Sequence, residues 1–190
     1  MKGNNRMTAL ERSWILYDIG NSACTMMIST LIPIYFNALA TSGGLNEDQY
    51  LAYWGYAGSI ATLIVAFVGP VCGTLADHKG FKKPIFLLCL ILGVLGCALL
   101  GASWSWLAFL IIFILARVGY SSATVFYDAM LPEITTQKRM DSVSTKGYAY
   151  GYIGSVIPFV ACLAIVLGYE AIGIPQTTAM AIAFLVTALW

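Results

Sequence analysis

The residues best able to do chemistry in this chain stand in surroundings almost without charge. Asp18, Asn21, Ser22, Thr25 and Ser29 recur at intervals of three or four within an apolar stretch. Helical geometry puts them on one face. A polar stripe of this kind is costly against lipid, so it faces protein or a water-filled cavity. Two readings of Asp18 follow. It is a coupling-ion or solute site, with Asn21, Ser22 and Thr25 lining the path. Alternatively it is a near-interface carboxylate that stabilises the positive end of its helix. Arg117 poses a sharper problem, because it lies inside a long uncharged region. An arginine at mid-span costs about 2.5–3.5 kcal/mol on insertion scales, so it calls for a partner, an anionic solute or a wet cavity. Asp128 follows eleven residues later at the expected helix end. It shares that face about 16 Å away, too far for a direct pair. Asp18 is the alternative partner.

The elements that must position these residues follow from hydropathy. Of the 190 residues, 59% are hydrophobic and 10% charged, where soluble domains carry about 25% charge. A span needs roughly 20 apolar residues. Segments at about 14–39 and 50–76 meet that length. The next uncharged run, Pro84–Ala116, holds 33 residues, too long for one span and too short for two. A hairpin at Ser103-Trp104-Ser105 divides it into spans of about 84–102 and 106–131, which forces Arg117 into the membrane. A fifth span covers about 147–169, and a sixth covers 176–190, short of a full crossing. The fold class is thus an all-α membrane protein with six transmembrane helices.

The positive charges support this count. Lys2, Arg6 and Arg12 precede the first span; Lys79, Lys82 and Lys83 follow the second; Lys138, Arg139 and Lys146 follow the fourth. The other connections carry only Glu47, Asp48 and Glu170. The positive-inside rule then places the N-terminus in the cytoplasm. A cleaved signal peptide does not fit the first segment, which is too long for one and contains Asp18. Small residues recur at Gly69 and Gly73, and at Gly147, Gly151 and Gly154, where they permit close helix approach. Pro33, Pro70 and Pro158 fall within spans. The five cysteines read as small buried hydrophobes. With one histidine, His78, and no Cys-x-x-Cys pattern, nothing calls for a metal, a cofactor or a catalytic centre. The net charge of +1 gives no reason to expect a nucleic-acid partner.

Two further patterns concern the plan of the whole. Tyr35-Phe36-Asn37-Ala38-Leu39 closes the first segment, and Phe126-Tyr127-Asp128-Ala129-Met130-Leu131 closes the fourth. Such an echo is what a three-plus-three inverted repeat would leave. The loop after the second span, from Gly73 through Leu75, Ala76, Asp77 and Gly80 to Lys82 and Lys83, combines a glycine turn with an acid and a cluster of cations.

That loop resembles the signature loop of the major facilitator superfamily, matching at Gly73, Leu75, Ala76, Asp77, Gly80 and Lys82. It departs at His78 and Phe81, where cations are usual. Three other stretches narrow the resemblance: Trp14-x-Leu16-Tyr17-Asp18-x-x-Asn21-Ser22, Phe126-Tyr127-x-Ala129-x-Leu131-Pro132-Glu133, and Gly147-x-Ala149-x-Gly151-Tyr152-x-Gly154. Together they are similar to the vacuole-effluxer (autophagy-related) branch and its bacterial relatives. The resemblance implies twelve helices in two six-helix halves, a central cavity and alternating access, of which this chain is the N-terminal half. The missing partner is a C-terminal half or a second copy. Fungal members are linked to amino-acid export from the vacuole. The expectation is therefore ion-coupled secondary transport of a small solute, with amino acids the class implied, in a bilayer that is a bacterial cytoplasmic membrane rather than a vacuolar one. Asp18 is the protonation candidate, Arg117 binds an anionic group or balances Asp18, and Gly73, Asp77, Gly80, Lys82 and Lys83 form a cytoplasmic gate. The alternative is a non-transporting membrane scaffold. An intramembrane enzyme is the more distant one, since His78 stands in a loop and no Gly-x-Ser-x-Gly occurs.

Overall fold

The computed structural model describes residues 6–76, 78, 80–102 and 105–190. Lys2, Asp77, Lys79, Ser103 and Trp104, which entered the sequence argument, lie outside the described residues. The helices run in the order α1 (Ala9–Ser29), α2 (Leu31–Ser42), α3 (Glu47–Ala76), α4 (Lys82–Leu100), α5 (Trp106–Ile134), α6 (Gln137–Leu167), α7 (Tyr169–Ile172) and α8 (Gln176–Leu189). Among the described residues, five helical spans are long and apolar enough to cross a membrane, α1 and α2 counting as one, and α8 is a shorter apolar helix.

The first span is broken rather than continuous. Pro33 lies within α2 and has no N–H for the carbonyl of Ser29, and its ring crowds that carbonyl. The chain breaks at Thr30, whose φ of −128° and ψ of −75° leave the helical region. The Thr30 hydroxyl donates to Met26 O at 2.5 Å, which meets part of the lost bonding. Pro70, Pro132 and Pro158 lie inside α3, α5 and α6 without ending them.

The fifth span begins ten residues earlier than hydropathy predicts. The connection after α5 is only Thr135 and Thr136, and α6 starts at Gln137. Lys138, Arg139 and Lys146 therefore stand on a helix, not in a loop. The cause is simple: hydropathy detects the part of a helix that lies in lipid, and α6 extends beyond it on the polar side. The same reasoning corrects Asp128. It is not at a helix end, because α5 continues to Ile134.

Where helices touch most closely, the contact is made by residues without bulk. A Cβ placed on Gly119 would lie 2.5 Å from Gly93 N, and one on Gly96 would lie 2.6 Å from Ala116 Cβ. These pairs let α4 lie against α5. On α6, a Cβ at Gly147 would lie 2.6 Å from Trp14 Cζ3, and one at Gly154 would lie 2.4 Å from Ile19 Cγ2. The stripe Gly147, Gly151, Gly154 thus seats α1. The pair Gly69 and Gly73 does not behave as predicted: a Cβ at either would meet nothing within 4 Å. α3 turns that face away from the described helices, with Leu63, Phe67 and Val71 exposed beside it.

The ends of the bundle differ in chemistry. At one end, Glu11 and Thr8 form a reciprocal cap on α1, and Arg139 of α6 donates to Glu11 Oε2 at 2.9 Å. There too Lys82 of α4 pairs with Glu133 of α5. At the other end, Trp106 packs over Tyr53 with ring centroids 5.1 Å apart. Nearby lies an aromatic core in which Phe36 meets Trp54 and Phe109 at 5.6 Å and 6.0 Å. Cationic residues gather at the first end, the pattern the sequence charges anticipate.

Candidate solute cleft

Three stretches far apart in sequence meet on α1. Trp14 and Tyr127 stack with centroids 4.3 Å apart. The Trp14 indole N–H donates to Tyr127 O at 3.2 Å, and the Tyr127 hydroxyl donates to Trp14 O at 3.1 Å. This reciprocal clasp fixes α1 against α5. Across from it the α6 glycines come so near that the rotamers of α1 have little freedom. Gly151 is the tightest point for function: a Cβ there would lie 2.8 Å from Ser22 Oγ and 3.1 Å from Asp18 Oδ2.

The result is a cleft of about 170 Å³ between α1, α5 and α6. Asp18, Asn21, Ser22 and Thr25 line it from α1, so the predicted polar face is brought together at one place. Ser29 is exposed and not among the lining residues. α5 contributes Tyr120, Thr124, Tyr127 and Asp128, and α6 contributes Tyr148 and Tyr152. Asp18 is only 8% exposed, and its carboxylate accepts no hydrogen bond and joins no ion pair among the described residues. Asp128 is exposed towards the same space.

The neutral polar groups bond to one another. Ser22 Oγ donates to Asp18 O at 2.8 Å. Thr124 Oγ1 donates to Tyr120 O at 3.1 Å, so it must accept from Asn21 Nδ2, 3.4 Å away. That chain assigns the Asn21 amide orientation. Thr25 Oγ1 and Tyr120 Oη share a 2.5 Å hydrogen bond. Tyr17 Oη and Ser122 Oγ are buried with no partner among the described residues.

Arg117 is placed elsewhere. It lies 6.0 Å from the Phe113 ring centroid, beside a broad open cleft bordered by Trp54, Gly58, Ser59 and Thr62 of α3. It makes no ion pair with Asp18 or Asp128. The salt bridges among the described residues are Lys82–Glu133 and Arg139–Glu11.

The loop after α3 has the turn expected of it. Gly80 has φ +95°, a left-handed conformation that favours glycine. His78 Nδ1 lies 3.1 Å from Thr74 O at the end of α3. Lys82 reaches Glu133, and Lys83 is exposed. A Cβ placed on Gly73 would meet nothing within 4 Å.

Sequence reasoning missed Glu11, Glu133, Tyr120 and Thr124. Glu11 had a readable signal, since Thr8-x-x-Glu11 is the capping-box pattern. Its second role, holding Arg139 while 1% exposed, had none. Tyr120 and Thr124 needed the knowledge that α5 faces α1.

A family model described as "Vacuole effluxer Atg22 like" matches residues 9–140, from the start of α1 into α6 and including both cleft aspartates. The chain belongs to the Atg22-like family. It is also 40% identical to a protein of Bacillus subtilis (strain 168) described as an uncharacterized MFS-type transporter, YxiO, over 97% of this chain and 44% of that relative. This chain therefore spans under half the length of the curated relative it matches. Both the family and this bacterial protein support kinship with the major facilitator superfamily, and the candidate spans among the described residues agree with a multi-pass membrane protein. The residues matched to the family contain the Trp14–Tyr127 clasp, both cleft aspartates and the Gly80 turn. The glycine stripe of α6 lies beyond them, within the reach of the bacterial match.

Proposed function

We propose that this chain is the N-terminal six-helix half of a secondary transporter that moves a small solute by alternating access, with amino acids as the class first to be tested. The observation that carries the reading is Asp18: a carboxylate 8% exposed, with no partner among the described residues, that lines a polar cleft inside an apolar bundle. Burying a charge without a partner costs several kcal/mol unless it is neutralised or met by a ligand. A group so placed suits a protonation step coupled to solute movement. Asn21, Ser22 and Thr25 line the solute path. Arg117, in its separate cleft beside α3, binds an anionic group there rather than balancing Asp18.

The complete transporter joins this half to a second half or a second copy, as the greater length of the Bacillus relative suggests. The cationic end faces the cytoplasm by the positive-inside rule, and a bacterial cytoplasmic membrane is the proposed location. Gly73, Asp77, Gly80, Lys82 and Lys83 stabilise one facing state from that side, a role the Lys82–Glu133 pair supports.

Heat stability of the complete purified protein, measured against the standard amino acids, tests this reading. Binding favours the folded state, so at least one amino acid should raise the unfolding midpoint, and Asn21→Ala should remove the rise. A protein indifferent to all of them would be better described as a scaffold.

A further inference from the structure

The cleft of α1, α5 and α6 has a charge and hydrogen-bond character that narrows its ligand, given the transport reading above. We propose that it binds the ammonium group of a cationic solute between Asp18 and Asp128.

Two carboxylates line one space of about 170 Å³, and among the described residues no lysine or arginine lines it with them. Arg117, the cation set within an apolar span, borders a different cleft. A ligand carboxylate entering here would meet two like charges at short range, with no cation to offset them. An ammonium group meets the reverse situation.

Asp18 adds an observation independent of the clustering of acids. It is 8% exposed, it lines the cleft, and its oxygens have no partner among the described residues. Gly147 and Gly151 leave room beside it for nothing larger, with a Cβ at either glycine 3.2 Å or 3.1 Å from Oδ2. The carboxylate is therefore confined against α6, and its ligand must arrive from the cleft.

The neutral groups point the same way. The Ser22 hydroxyl proton goes to Asp18 O, that of Thr124 goes to Tyr120 O, and an Asn21 amide proton goes to Thr124. One of the two protons of Thr25 and Tyr120 is spent between them. Most donors that α1 and α5 present are thus engaged, and the two carboxylates are the strong acceptors left; the Tyr148 and Tyr152 hydroxyls can donate or accept. An ammonium group is three donors with no acceptor, which is the complement. Tyr148 and Tyr152 on the open side supply ring faces of the kind that attract cations.

The test uses the complete protein in nanodiscs with three probes of matched size: n-butylammonium, butyramide and n-butyrate. Binding is read from the unfolding midpoint and from saturation-transfer NMR. n-Butylammonium should bind, and Asp128→Asn should weaken it at least tenfold, with Asp128→Glu restoring most of the affinity. Asp128 is exposed, so this variant leaves the packing of α1 against α6 untouched. Binding of butyramide or butyrate in preference to the amine would overturn the ammonium assignment while leaving the transport reading intact. Binding of none of the three, or amine binding that Asp128→Asn leaves unchanged, would also overturn it. Failure of the transport reading shows separately, as a complete protein that no amino acid stabilises and that carries no solute across a membrane.

Discussion

At the scale of single residues, the Trp14–Tyr127 clasp and the Glu11 network hold the cleft in shape. Tyr127→Phe removes one hydroxyl and leaves Trp14 O without its donor, while the ring stack remains. Hydrogen bonds between helices in membranes contribute about 0.6 kcal/mol on average and up to about 1.7. A loss of about 1 kcal/mol is expected, read as a lower unfolding midpoint of the complete protein. Glu11 accepts from Thr8, Thr135 and Arg139 while almost fully buried. Glu11→Ala removes an acceptor shared by three donors, two of them the Thr8 N–H and the Thr135 hydroxyl, whereas Arg139→Ala removes a side chain that is 34% exposed. Hydrogen bonds to charged groups contribute about 1.5–3 kcal/mol each. Glu11→Ala should therefore destabilise by at least 2 kcal/mol or so, clearly more than Arg139→Ala, in the same unfolding measurement. Equal effects would mean that the ion pair alone, and not the shared cap, holds α1 to α6.

At the scale of elements, the glycines separate contact from coincidence. Gly151→Ala and Gly154→Ala push a methyl group into α1 at 2.8 Å and 2.4 Å from the nearest atoms. Overpacking of this kind costs about 1–3 kcal/mol. Gly69→Ala sits within a helix and meets nothing. In this chain taken alone it should be neutral, or stabilising by up to about 1 kcal/mol through helix propensity. Unfolding midpoints of the variants should split accordingly. The sequence patterns could not make this distinction, because both sets have the same spacing and only tertiary packing tells which face has a neighbour. Gly93 and Gly119 illustrate the converse. With Gly96 and Ala116, each three residues away, they form the tight α4–α5 crossing, and their spacing alone does not tell which helix each face meets. The polar face of α1 was legible because its period is local. Its partners Tyr120, Thr124, Tyr148 and Tyr152 were not, since their selection depends on which helices surround α1. The start of α6 was misplaced because lipid burial and helix length are different quantities.

At the scale of the whole molecule, the arrangement of charge sets the orientation, and the cleft sets the chemistry. In the complete protein freed of its native cysteines, Lys83→Cys and Lys138→Cys should react with a membrane-impermeant thiol reagent only from the cytoplasmic side. Asp48→Cys should react only from the other side. The reverse labelling would invert the topology and with it the assignment of the α3–α4 loop to the cytoplasmic gate. Among the described residues, Arg117 lies within a span and joins neither of the two salt bridges. The most direct test of the central claim is uptake by proteoliposomes containing the complete protein, with and without an imposed proton gradient, comparing wild type with Asp18→Asn. The account predicts that the gradient accelerates uptake of the amino acid that stabilises the protein, and that Asp18→Asn loses this acceleration while still folding. Acceleration of equal size in Asp18→Asn would contradict it, and would move the coupling group out of the cleft.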